Sequence, residues 1–195
     1  MSAWIRILTD DEADPDLLDA LQGARTPHGT VDNVLRVHSL RPNTMRGHMV
    51  LYKAALHDDA NTIPMWLQET IASYVSVLNN CDYSYANHWA NARHLIGDEA
   101  RADVIEAAMK ARRLGDTFKG RELALLRYAE KLTLTPGRMT EADITPLRAA
   151  GLDDGEILEA NQIICYFNYV NRSINGLGVT TEGDIVGYYS SSETG

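Results

Sequence analysis

Four side chains within twenty residues have types and spacing that can do chemistry. Cys81, Ser84 and His88 stand at i, i+3 and i+7, which on a helix places them on one face. Cys81 falls at the expected start of that helix, where unpaired N–H groups and the helix dipole favour an anion; a thiolate is therefore expected there. Glu69 lies on the preceding helical segment. If the two segments pack antiparallel across Asn79 and Asn80, Glu69 and His88 each stand two to three turns from the bend and can meet. A carboxylate that orients an imidazole, and an imidazole that exchanges a proton with a thiol or a substrate, form a relay. The same residues also have a purely structural reading, in which Cys81 is a small buried residue, His88 a satisfied helix histidine and Glu69 a solvent-facing acid.

The elements that must position these groups are helical. Apolar residues recur at helical spacing along almost every long segment, and alternating runs are nearly absent, so the fold class is all-α. Pro15 opens a short helix that ends at Gly23; VDNVLRVHSL must stop before Pro42, which opens the next helix. Pro64 starts MWLQETIASYVSVL, which Asn79 and Asn80 break. The helix bearing Ser84 and His88 follows, capped by Asn80 or Asp82, with Tyr85, Trp89, Ala92 and Ile96 as its buried stripe and Gly97 as its terminator. EARADVIEAAMKARR and RELALLRYAEKLTL are helix formers. MTEADITPLRAAG reads as one capped helix, and DDGEILEANQIICYFNYVNRSI as a long apolar helix closing at Gly176 and Gly178. The chain divides into an N-terminal helical arm (1–60), a motif-bearing core (61–115), C-terminal helices (116–180) and a tail (181–195) expected to drape over a neighbour or fray.

Composition narrows the function classes. A chain of 195 residues fits one domain, and a net charge of −9 without any Lys/Arg cluster argues against nucleic-acid binding. The opening MSAWIRILTDDEADPD lacks a basic start followed by an apolar run, and no apolar stretch is long enough to span a bilayer; a cytoplasmic location and no membrane contact are expected. Cys81 and Cys165 are the only cysteines, and both are expected as thiols, with Cys165 a core residue of an apolar helix. His38, His48 and His57 lack the i, i+4 pairing of a helical metal site and read as structural or surface residues. Asn171 and Arg172 also read as structural, with Arg172 pairing a carboxylate or capping carbonyls. No metal and no cofactor are expected.

Glu69, Cys81, Ser84 and His88 together resemble the alkylhydroperoxidase D (AhpD) core of the carboxymuconolactone decarboxylase superfamily, whose pattern is a Glu, then CxxC, then a His four residues on. VDNVLRVHSLRP, ETIASYVSVLNNC, LRAAGLDDGEI and YFNYVNRSINGLGV are similar to its peroxidase-related branch, so the likeness runs from about Val31 to Val179. The resemblance implies an AhpD-like helical bundle with an N-terminal helical extension, homo-oligomeric assembly, and a dithiol that reduces peroxides with electrons from an external thiol donor. Here CxxC has become CxxS: Ser84 stands where the peroxide-attacking cysteine is expected, and Asn87 replaces a second histidine. Three readings follow. In the first, Cys81 alone attacks a hydroperoxide, with Glu69 and His88 handling protons and Ser84 donating a hydrogen bond. In the second, a non-redox, decarboxylase-like enzyme uses Glu69 and His88 on a small organic acid, anchored by Arg93 or Arg172. In the third, the fold persists as an inactive oligomeric binding protein.

Overall fold

The computed structural model describes residues 2–189. Nine α-helices lie among them: α1 (Pro15–Gly23), α2 (Asn33–Arg36), α3 (Pro42–Leu56), α4 (Met65–Leu78), α5 (Asp82–Ile96), α6 (Glu99–Lys110), α7 (Gly120–Leu134), α8 (Thr145–Ala149) and α9 (Asp154–Leu177). No strand occurs among the described residues. No helix among the described residues is long and apolar enough to cross a membrane.

The bundle is organised around α4. Every residue from Leu67 to Ser76 is buried, because α5, α7 and α9 pack around it. A helix covered on all sides must be nearly free of charge; the exception on α4 is Glu69, which is wholly buried. Ile71, Ala72, Tyr74 and Val75 join Leu126 of α7 and Ile163, Ile164 and Phe167 of α9 in the main core. Burying such side chains supplies ~1.5–3 kcal/mol each for the larger ones. A smaller cluster of Leu17, Leu21, Val31, Leu35 and Met45 holds α1, α2 and α3 together, and α3 then rests on α9.

The turn that sets the site is short. Asn80 takes a left-handed conformation (φ 50°) after α4, and Cys81 N–H reaches back to Ser76 O at 2.9 Å, so α5 begins at once and runs back along α4. Asn175 of α9 donates to the carbonyls of Asn79 (3.1 Å) and Asn80 (3.4 Å), which fixes the bend against the long helix. That long helix starts with a reciprocal cap between Asp153 and Glu156 and ends at Gly178, φ 60°.

Two segments differ from the expectations above. MTEADITPLRAAG makes a separate capped turn at Glu141–Asp143 and a short α8 rather than one helix; Pro146 has no N–H and restricts Thr145 before it, so the first turn cannot run through. Of the tail, residues 181–189 are laid over the chain's own helices, and 190–195 lie outside the described residues. Asp184 accepts from Tyr83 Oη (2.6 Å) and from Asn33 N–H (3.1 Å), and Gly187 N–H and Tyr188 N–H donate to Asn87 (3.1 Å) and Asn91 (2.6 Å) of α5.

Candidate active site

Beneath that C-terminal segment lies a cavity of about 560 Å³, within the range of small-molecule sites. Helices α3, α5 and α9 wall it, together with the loop from Ala24 to His28 and with Ile185, Gly187 and Tyr188. Its lining is mainly aromatic and aliphatic.

Glu69 and His88 meet at its edge. Glu69 Oε2 lies 2.6 Å from His88 Nδ1, and Glu69 Oε1 accepts from Asn91 Nδ2 at 3.2 Å, so both carboxylate oxygens are held. The carboxylate thus takes up Nδ1 and leaves Nε2 as the ring nitrogen without a hydrogen-bond partner among the described residues. The His88 side chain is 14% exposed and its ring stands edge-on to Phe167 at 4.5 Å. His88 lines the cavity. The structural reading of Glu69 as a solvent-facing acid does not describe this arrangement.

Ser84 also lines the cavity, one turn before His88. Its hydroxyl shares a hydrogen bond with Ser76 Oγ (2.9 Å), which in turn accepts from Asn171 Nδ2 (3.3 Å). No bond joins Ser84 to His88 among the described residues, so nothing here activates the hydroxyl as a nucleophile.

Cys81 is a correction. It does sit at the N-cap of α5, but it is 1% exposed and is not among the residues that line the cavity. Burial pushes its thiol up to about 11; the Ser84 backbone N–H pulls the other way and Asp82 adds to the rise. Desolvation outweighs the helix start, and the expected thiolate is replaced by a neutral, enclosed thiol. Cys165 is a second correction: it lies exposed on the outer face of α9 rather than in the core.

Several cavity groups were not singled out by spacing. His48 is 4% exposed and joins Tyr166 Oη at 2.9 Å, and Tyr52 Oη joins His57 at 2.7 Å. His48 is pushed down to about 4 by burial and by His38, and His57 is lowered, mainly by burial. These histidines come from α3 and its C-terminal cap, while Tyr166 comes from α9, more than a hundred residues away; no local motif announces the pair. The proposed anchors are elsewhere: Arg93 is engaged by Glu99, Asp103 and Glu106, and Arg172 by Asn168, and neither lines the cavity. Lys53 and Arg25 are the cations that do.

No protein-family model matches the sequence, and no curated protein matches it by sequence. Among solved structures, the chain is similar to an uncharacterized peroxidase-related protein with an alkylhydroperoxidase AhpD core from Ralstonia eutropha JMP134, at 22% identity, 94% coverage of each chain and a TM-score of 0.78. It is also similar to an uncharacterized peroxidase-related protein from Silicibacter sp. TM1040 (21% identity, 94% of this chain and 93% of that one, TM-score 0.78). A third is the debrominase Bmp8, as a cysteine-to-alanine variant in complex with 2,3,4-tribromopyrrole (19% identity, 94% of each chain, TM-score 0.73). These likenesses establish that the chain has the all-helical, AhpD-like fold.

Proposed function

We propose that the chain is a non-redox enzyme in which His88 transfers a proton to or from a small organic acid or lactone-like molecule held in the cavity. The observation that carries this reading is the division of the motif: His88 lines the cavity, clamped through Nδ1 by buried Glu69 and with Nε2 free of a hydrogen-bond partner among the described residues, whereas Cys81 lies off the cavity as a neutral thiol. A carboxylate behind an imidazole fixes its tautomer and orientation and stabilises the imidazolium that forms on proton uptake. Glu69 is therefore a positioning residue. Lys53, an exposed residue of the lining, makes no ion pair among the described residues and suits the substrate's carboxylate. The aromatic and aliphatic walls suit a compact ring, and Bmp8 offers a parallel in that its complex holds 2,3,4-tribromopyrrole. A thiol peroxidase cycle is disfavoured, because the group that must ionise is the enclosed one and serine cannot form a sulfenate.

The test is a panel of unsaturated lactones and β-keto or enol acids followed by ultraviolet absorbance, run beside a hydroperoxide and dithiothreitol assay. Turnover that survives Cys81→Ala but falls by about 10²–10⁴-fold in His88→Ala, with a smaller loss in Glu69→Gln, is expected. Hydroperoxide reduction abolished by Cys81→Ala and indifferent to the organic acids would overturn the reading.

A further inference from the structure

At the cavity wall, four polar groups form an unbroken chain that leads away from it. Tyr166 Oη lies 2.9 Å from His48 Nε2, His48 Nδ1 lies 3.3 Å from His38 Nε2, and His38 Nδ1 lies 2.8 Å from Thr44 Oγ1. Tyr166 and His48 line the cavity, while His38 is partly exposed at the far end. The Thr44 hydroxyl donates to Arg41 O at 2.8 Å.

Donor counting makes every link of such a chain point the same way. Burial disfavours the charged form of both histidines, so each ring carries one proton. With Thr44 donating to Arg41, its oxygen accepts from His38 Nδ1; His38 Nε2 then accepts from His48 Nδ1, and His48 Nε2 accepts from Tyr166. In that state Tyr166 has a lone pair to offer the cavity. If the Thr44 hydroxyl rotates toward His38, every link reverses and Tyr166 turns its proton into the cavity. Arg41 O still accepts from Thr44 N–H at 2.9 Å, so the carbonyl keeps a partner. Both polarities satisfy Thr44, His38 and His48, and they differ at Tyr166, which in the second leaves its proton for a ligand in the cavity.

We propose that Tyr166 is the second proton-exchange group of the cavity and that His48 and His38 form a wire joining it to solvent. The ligand's acidic proton passes to Tyr166 Oη as the tyrosine's own proton passes to His48 Nε2. The Nδ1 proton of His48 passes to His38 Nε2, the Nδ1 proton of His38 passes to Thr44 Oγ1, and the exposed Thr44 hydroxyl gives up its own proton to solvent. The ligand is left as an anion, one proton has left the cavity, and the wire stands in the reverse polarity. Running backwards, it returns a proton from solvent through Tyr166 to the ligand and resets. A group that takes a proton and later returns one, beside His88, suits an isomerisation through an enolate of a small keto or unsaturated acid. This rests on the acid–base reading of the site given above.

The experiment reads histidine tautomers by long-range ¹H–¹⁵N correlation in the full chain. His38 and His48 are expected to be neutral at neutral pH and to carry their protons on the same ring position, either polarity of the wire meeting that condition. Tyr166→Phe, which keeps the ring and removes the hydroxyl, is expected to shift the His48 nitrogens toward an average of the two tautomers. Opposite tautomers in His38 and His48, an imidazolium at neutral pH, or His48 signals unchanged by Tyr166→Phe would each overturn the wire. With an acid substrate from the panel, a drop in kcat on the order of 10²-fold is expected in Tyr166→Phe, and an unchanged kcat would overturn the role of Tyr166. A paired tautomer pattern in a protein that turns over no acid would sink the reading of His88 and leave the wire standing, so the two fail separately.

Discussion

At the scale of single residues, the two thiols exchange the characters their neighbouring sequence suggests. Cys81 has the helix start that activates cysteines, yet it is enclosed and its thiol is raised to about 11; Cys165 sits in IICYF, yet its position on α9 faces outward. Iodoacetamide at neutral pH is therefore expected to label Cys165 first, with Cys81 slower on the order of 100-fold, read by peptide mass spectrometry in the native chain. Faster labelling of Cys81 would restore the thiol reading. What could be read from spacing was the meeting of Glu69 and His88, because an antiparallel helix pair with a tight bend brings equidistant positions together. What could not be read was enclosure: whether a helix start is wet or dry depends on which other helices cover it, and here burial outweighs the dipole. The Tyr166–His48 contact was hidden for a similar reason, since it joins α3 to α9 across most of the chain.

At the scale of elements, the boundaries marked by proline and glycine were legible. Pro15 and Pro42 begin α1 and α3, and Gly97 and Gly178 take left-handed caps after α5 and α9. These residues act through their own backbone preferences, so no tertiary knowledge is needed. The decisive boundary is subtler. Asn80 holds φ 50° without being a glycine, and the return of α5 along α4, and with it the approach of His88 to Glu69, depends on that single left-handed residue. Asparagine tolerates the conformation better than residues with an ordinary Cβ environment. Asn80→Ala is expected to lower unfolding stability by ~1–2 kcal/mol, and Asn80→Gly to leave it unchanged or raise it slightly, as measured by urea denaturation. Equal losses in both variants would mean that the Asn80 side chain, not its backbone, holds the bend.

At the scale of the whole molecule, the C-terminal segment closes the cavity by docking on elements far away in sequence, and two carboxylates meet where it docks. Asp32 lines the cavity and is raised to about 6, first by burial and then by the charge of Asp184, with His28 opposing. Asp184 is itself raised by burial, against the pull of Tyr83, Asn33 and Arg36. A carboxyl whose value is raised in the docked state binds more protons there than when released. Docking is therefore expected to strengthen as pH falls from about 6 toward the ordinary carboxylate range near 4, and to weaken as pH rises. Below that window the sign reverses for other groups: Asp10, paired with Arg36, and Asp143, paired with Lys131, are lowered and lose their contribution on protonation. Because Asp32 is only partly buried, solvent screening reduces the effect to on the order of 1 kcal/mol, a several-fold change in protection. Hydrogen exchange at the Gly187 and Tyr188 amides, corrected for intrinsic rates, reads it directly, since those N–H groups are the ones bonded to Asn87 and Asn91. Greater protection near pH 5 than near pH 7.5 is expected in the native chain. In Asp32→Asn the profile should flatten, with the higher protection already present near pH 7.5, because the amide cannot ionise beside Asp184. A native profile that is flat, or that rises with pH, would show that the Tyr83 and Asn33 bonds to Asp184 outweigh the repulsion between the two carboxylates, and that cavity closure does not respond to proton uptake at Asp32.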